Sequence, residues 1–251
     1  MENLEITSVN NELVKEVVKL QQKKYRDEEK KFLLEGFKAI EEAFLAKIEI
    51  EKVFVLKEKA QKYSFIKEKL ILTTEPVLKK ISTTDSAPEA VAIAKQKIFS
   101  LEDIKSAKKV VLLENIKDLG NLGTILRTAK AFSQDAIILF GDTVDLYNPK
   151  CVRSAVGNLW KIPVAQVKDF STLKAQFEGF ERVATLPKAD DTVFLKEYKA
   201  TSPYLIMFGS EADGLSEELI NFATKKVTIE MDSDVESLNL SVSVGIILSH
   251  L

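Results

Sequence analysis

Asn115-Ile116-Lys117-Asp118-Leu119-Gly120-Asn121-Leu122-Gly123-Thr124-Ile125-Leu126-Arg127-Thr128-Ala129 follows the apolar run Val110–Leu113, with Glu114 between them. A short valine and leucine run without polar alternation reads as a strand buried on both faces. The glycines after it and the helical spacing of Leu122, Ile125, Leu126 and Ala129 read as a strand-to-helix turn opening a helix over Leu122–Phe132. The pattern then repeats. Ala136–Phe140 is a predicted strand. Asn148 caps a helix over Pro149–Val156, with proline at its first position and Gly157 just past its end. Ile162–Val167 is a strand and Phe170–Phe177 a helix. Arg182–Thr185 and Tyr204–Phe208 are strands, Ser216–Ala223 a helix, Lys226–Met231 a strand, and Leu238–Leu251 a closing helix. Alternation of this kind predicts an α/β fold with a mostly parallel sheet covered on both faces.

The chain before this region has a different rhythm. Asn10 and Asn11 precede Leu13, Val14, Val17, Val18 and Leu20, the spacing of one helix face behind an asparagine cap. Lys23-Lys24-Tyr25-Arg26 reads as the solvated end of that helix, with an RNA contact as the alternative. Gly36–Ile48 reads as a second helix, and Val53–Leu56, Leu70–Thr73 and Ala90–Ala94 as strands with helices between them. The expected organisation is a small α/β domain over residues 1–95, a polar linker over 96–108 and the larger domain over 109–251.

Composition narrows the function classes. Of 251 residues 45% are apolar, enough for a sizeable core, and 36 basic residues against 38 acidic give a net charge of -2 that does not by itself predict a polyanion partner. Cys151 is the only cysteine and His250 the only histidine. A disulfide within the chain and a cysteine or histidine metal cluster are excluded, and no metal is expected. Neither a Gly-x-Gly-x-x-Gly after a first strand nor a Gly-x-x-x-x-Gly-Lys-Ser/Thr occurs, which disfavours the common nucleotide sites. The start Met1-Glu2-Asn3-Leu4-Glu5 is acidic and unlike a signal peptide, and no apolar run reaches membrane-spanning length, so a cytoplasmic location is expected.

Three segments lie at predicted strand ends, where α/β sheets bind ligands. The first is the opening stretch. The second is Phe208-Gly209-Ser210-Glu211-Ala212-Asp213-Gly214-Leu215. The third runs from Ile229-Glu230-Met231 to Ser237-Leu238-Asn239-Leu240-Ser241-Val242. Taken singly, each has a plain reading beside a functional one. Arg127 offers a planar fork of donors suited to phosphate, or pairs with a nearby carboxylate. Glu211 is the acid nearest its strand end, or a solvated loop residue. Ser237, Asn239, Ser241 and Ser243 hold the polar end of a ligand, or cap the helix that follows.

Together the segments resemble the three motifs of the SpoU/TrmH ribose methyltransferases of the SPOUT class. The resemblance covers roughly residues 108–251 and includes Asn148-Pro149-Lys150-Cys151-Val152-Arg153-Ser154-Ala155-Val156-Gly157. Residues 1–95, with Ile6-x-Ser8-x-x-Asn11, Lys24-Tyr25-Arg26 and Phe32-Leu33-Leu34-Glu35-Gly36, resemble the ribosomal-protein-like substrate-binding domain often fused in front. The resemblance implies a homodimeric RNA 2'-O-methyltransferase that uses S-adenosyl-L-methionine, with a C-terminal trefoil knot in its sheet and ribosomal RNA of the 23S type as substrate. Transfer RNA, methylation of a base nitrogen, or a catalytically silent RNA-binding or ribosome-assembly module are the alternatives. By motif match, Asn121, Arg127, Glu211, Ser237 and Asn239 correspond to active-site residues. Phe208, Gly209, Ser210, Gly214, Ile229, Met231, Leu238 and Ser241 correspond to the cofactor site. The chain departs from the family pattern at Glu230, where proline is common, at Asn158, and at Ala87-Pro88-Glu89-Ala90.

Overall fold

The computed structural model describes residues 4–235 and 237–251; the acidic start Met1-Glu2-Asn3 lies outside the described residues. The chain packs as two units. One holds residues 1–97 and 145–160, the other 98–144 and 161–251.

In the first unit β1 (Leu4–Ile6), β2 (Lys31–Glu35), β3 (Ile50–Leu56), β4 (Leu70–Thr73) and β5 (Ala90–Lys95) form a mixed sheet in the order β1-β4-β3-β5-β2. Helices α1 (Glu12–Lys19), α2 (Lys23–Glu29), α3 (Phe37–Leu45) and α4 (Glu75–Ile81) lie between the strands, and Lys57–Lys69 forms tighter 3-10 turns, broken at Tyr63 and Ile66, rather than an α-helix. Asn11 caps α1 as its sequence position foretells, its side chain accepting from the Leu13 amide. Strands β1 and β2 were not expected. β1 is three residues long, and in β2 three apolar residues stand between Lys31 and Glu35, too few for a period to register; Gly36, which follows with a φ of 85°, reads from the sequence as the start of the next helix.

Arg26 corrects a second expectation. It lies within α2 rather than at a solvated helix end, and only 1% of it is exposed. Its Nε donates to Asp145 Oδ2 at 2.9 Å, and its Nη1 to the Leu20 carbonyl at 2.8 Å. A guanidinium this deep must be matched by a carboxylate and by acceptors for its remaining protons.

Asp145 belongs to the third finding. Residues 145–160, read from the sequence as part of the larger domain, pack within the first unit. Tyr147 packs against Phe32 with ring centroids 4.8 Å apart and the rings tilted by 46°, and its hydroxyl donates to the Lys97 carbonyl at 2.6 Å. Arg153, on helix α6 (Pro149–Ser154), donates to Glu35 Oε2 at 3.1 Å and to Thr83 Oγ1 at 2.6 Å. Cys151, Val152 and Ala155 are buried. Sequence order placed the segment between two strands of the other unit. Its apolar and ionic partners lie in the first.

The second unit is a seven-stranded, all-parallel sheet in the order β10-β12-β9-β11-β6-β7-β8. Its strands are β6 (Lys109–Glu114), β7 (Ala136–Phe140), β8 (Val164–Val167), β9 (Glu181–Thr185), β10 (Val193–Phe194), β11 (Tyr204–Phe208) and β12 (Lys225–Thr228). The helices are α5 (Leu119–Ala131), α7 (Phe170–Phe177), α8 (Glu217–Phe222) and α9 (Leu240–His250). β7 and β11 are buried at every position, as strands covered on both faces must be. One core cluster joins Val110, Leu112, Ile138, Leu205 and Met207 to Leu173, Phe177 and Leu219. Val193–Phe194, a two-residue edge strand, and the 3-10 turn Leu195–Glu197 behind it escaped the sequence reading here.

Candidate functional site at the strand ends

Strands β6 and β11 are neighbours in the middle of the parallel sheet, with Leu113 opposite Phe208. The loops that follow them therefore leave the same edge of the sheet side by side. After β6, Asn115 turns the chain with a left-handed φ of 52°, and its Oδ1 accepts from the Asp142 amide at 2.8 Å. Asp118 caps α5, accepting from the Asn121 amide at 2.7 Å. The helix begins earlier than its apolar stripe suggested. Gly120 and Gly123 lie inside it, Gly123 buried, rather than bracketing a turn.

After β11 the chain makes a closed loop. The Ser210 amide donates to the Gly214 carbonyl at 3.2 Å and the Gly214 amide to the Ser210 carbonyl at 3.1 Å. The loop folds back so closely that a Cβ placed on Gly209 would lie 1.9 Å from the Gly214 carbonyl carbon. No side chain fits there, which explains the glycine.

The third segment supplies the cap of α9. Asn239 Oδ1 accepts from the Ser241 amide at 2.9 Å and from the Ser241 hydroxyl at 2.7 Å. This fixes which way the Asn239 amide points. Its oxygen is committed to the helix, so Nδ2 faces outward and donates to Asn121 Oδ1 at 3.1 Å. Asn121 is thereby oriented in turn, and its Nδ2 donates to Glu211 Oε1. The three segments meet in a hydrogen-bonded row, Asn239 to Asn121 to Glu211, whose polarity is set by a helix cap.

Beside this row lies a cavity of about 610 Å³. Leu186, Leu215, Ile220, Val227, Leu240 and Ile247 give it an apolar floor, and Ser210, Glu211, Asp213, Ser237 and Asn239 a polar rim. Among the described residues its lining includes two carboxylates and no lysine or arginine. Of the residues assigned to a cofactor, Phe208, Gly209, Ser210, Gly214, Ile229, Met231 and Leu238 line it. Ser241 does not; its hydroxyl is used to buttress the Asn239 cap. Glu230 does not line it either, and pairs with Lys196 at 2.5 Å instead of charging the pocket.

Arg127 is not drawn into the cluster. It is the ninth residue of α5, two turns beyond Asn121, exposed and without a hydrogen bond or ion pair to a described residue. It stands further along the helix than the sequence reading placed it. Thr185, Leu186 and Pro187 line the cavity and were missed. Thr185 ends β9 and the other two follow it, so the rule that ligands gather at strand ends would have found them. His250 lies away from the cavity, its Nε2 3.2 Å from the Tyr198 carbonyl. Burial pushes the Cys151 thiol up to about 12, which leaves it inert as a nucleophile. No group of three His, Cys, Asp or Glu side chains suited to a metal is gathered among the described residues.

Residues 108–249 match the SpoU rRNA Methylase family, and residues 11–92 match the MRM3-like substrate binding domain. An uncharacterized tRNA/rRNA methyltransferase of Synechocystis is 32% identical over 97% of this chain and 91% of its own length. The 23S rRNA (guanosine(2553)-2'-O)-methyltransferase RlmP of Bacillus subtilis is 29% identical, with 98% of each chain covered. An AdoMet-bound rRNA methyltransferase from Sinorhizobium meliloti superposes with a TM-score of 0.89 at 30% identity, covering 98% of this chain and 96% of the other.

Proposed function

The chain belongs to the SpoU rRNA methylase family, and from that premise we propose that it transfers a methyl group from S-adenosyl-L-methionine to a ribose 2'-oxygen of ribosomal RNA, of the 23S type. The observation that carries this reading is the row Asn239–Asn121–Glu211 at the rim of the cavity. The cavity suits the cofactor. Its volume falls in the range of about 300–1,000 Å³ for small-molecule sites. An apolar floor accepts an adenine ring, and the carboxylates Glu211 and Asp213, without a lysine or arginine beside them, favour a ligand bearing positive charge. Phe208–Ser210, Ile229, Met231 and Leu238 would hold it, with Gly209 letting the loop close on itself beside the pocket. When bound, S-adenosyl-L-methionine supplies an electrophilic methyl group on a sulfonium.

The chain's own groups position the acceptor. Asn121 holds Glu211 through Oε1, which fixes the carboxylate at the cavity rim. Ser237 adds a hydroxyl to the same rim. A ribose hydroxyl must lose its proton as it is methylated, and the only histidine lies elsewhere. The proton leaves to Glu211, to the adjoining phosphate or to water. Arg127 serves as a phosphate fork on the exposed face of α5. Changing Arg127 to lysine keeps the charge but loses the fork. Turnover on RNA is expected to fall about tenfold or more with cofactor affinity unchanged, since two-point gripping is what orients the acceptor. Steady-state kinetics beside calorimetry of cofactor binding separates the two effects, and unaltered kinetics would remove Arg127 from the site.

The same reading includes a homodimer and a trefoil knot. Val242 and Ile246 are exposed on α9 at 49% and 37%, which supports a self-complementary apolar face there. Packing of α9 on α5, and the strand order β9-β11-β6, support the knotted path. A monomer at micromolar concentration in sedimentation would count against the dimer. No helix among the described residues is long and apolar enough to cross a membrane. The decisive experiment maps ribose methylation across ribosomal and transfer RNA in cells with and without the gene. The expected result is one 23S-type position lost. Loss of a transfer RNA or base methylation instead, or no change, would overturn the assignment.

A further inference from the structure

Glu114 ends β6, and only 3% of it is exposed. Burying a carboxylate is costly unless a donor compensates it, yet the reaction proposed above gives Glu114 no chemistry. Its Oε2 accepts from the Ser216 amide at 2.7 Å. Ser216 is where the loop begun at Gly209 ends and α8 starts; its own hydroxyl accepts from the Leu219 amide at 3.4 Å.

The loop between these points has little internal freedom. The reciprocal Ser210–Gly214 bonds close it, and the Ser210 hydroxyl accepts from the Asp213 amide at 3.0 Å. A closed loop moves as one piece, so its position is decided at its base. On the incoming side, β11 is in register with β6 as far as Phe208 opposite Leu113. On the outgoing side, the described tie back to β6 is the Glu114–Ser216 bond. Asn121, which grips Glu211 at the loop's tip, is carried by the same β6–α5 segment.

We propose that Glu114 is a positioning residue for the methyl-transfer site: it anchors the Glu211 loop to the strand that delivers Asn121, so that donor and carboxylate stay in register. The proposal rests on the reaction proposed above for its kinetic consequence, but not for its structural one.

The test uses the full-length protein and two variants of similar size. Glu114→Gln keeps an oxygen for the Ser216 amide. Glu114→Met does not. Amide exchange over residues 209–216, measured without cofactor or RNA, is expected to speed up about tenfold or more in Glu114→Met and to change little in Glu114→Gln. Turnover is expected to fall about 100-fold in Glu114→Met, as for a misplacement of order 1 Å, and to recover to within about threefold of wild type in Glu114→Gln. In a Glu211→Ala background the methionine change should cost less than about a further threefold, because the group it positions is gone. Unchanged exchange, or the same loss of turnover with and without Glu211, overturns the proposal. A wild-type protein that methylates no RNA sinks the assigned reaction instead, and the exchange measurement still decides whether Glu114 anchors the loop.

Discussion

Asn239→Asp is expected to leave the fold standing and to lower methyl transfer by about 100-fold, the size of loss that follows when a reacting group is displaced by about 1 Å. Aspartate caps a helix as well as asparagine does, so α9 keeps its start. The face turned toward Asn121 changes from an NH₂ group to an oxygen. Asn121 must then rotate its amide and donate to the new carboxylate, which turns its own oxygen on Glu211 Oε1, where its NH₂ now lies. Two acceptors face each other and Glu211 loses its hold. Adding Glu211→Gln supplies an NH₂ group that can meet the reversed Asn121, so the double variant should regain thermal stability without regaining activity. Melting curves and turnover, measured together for the single and double variants, check this. A fully active Asn239→Asp enzyme would mean that the row has no part in the reaction.

Gly209→Ala should be as damaging by another route. The added Cβ meets backbone atoms, with the Gly214 oxygen and the Leu215 nitrogen each 2.2 Å away, so no rotamer change relieves it. The loop has to move, taking Glu211 and one wall of the cavity with it. Calorimetry is expected to show S-adenosyl-L-methionine binding weakened by about 30-fold or more, roughly 2 kcal/mol. Gly179→Ala is the control. Nothing lies within 4 Å of its added Cβ, and it should bind like wild type. Equal affinities for the two variants would show that the loop is not part of the cofactor site.

The sequence made the periodic part of this fold legible. Tyr204–Phe208 and Phe170–Phe177 have the bounds expected, since an unbroken apolar run and a helix capped by Asp169 leave little choice. The ligand-site segments were legible as strand ends. The direction of the hydrogen-bonded row was not, because it depends on an amide oxygen of residue 239 being claimed by α9 before residue 121, 118 positions earlier, can be oriented. Arg26 misled for a related reason. A cluster of cations looks solvated until the carboxylate that buries one of them is found 119 residues away. Edge strands β1 and β10 are too short for alternation to register. Glu114, one acid at the end of a strand, carries no local signal of its burial at all.

Residues 145–160 complete a core begun at the N-terminus, and protein synthesis reaches them late. A chain leaving the ribosome with only its first 97 residues has the guanidinium of Arg26 without Asp145, and the ring of Phe32 without Tyr147. The N-terminal unit therefore cannot mature as it emerges, in the order usual for consecutive domains. It must wait until the strands β6 and β7 of its neighbour have been made. A truncated fragment cut at the apparent boundary inherits the same deficit permanently: a buried cation with no counter-charge, which costs about 3–5 kcal/mol when a partner is removed.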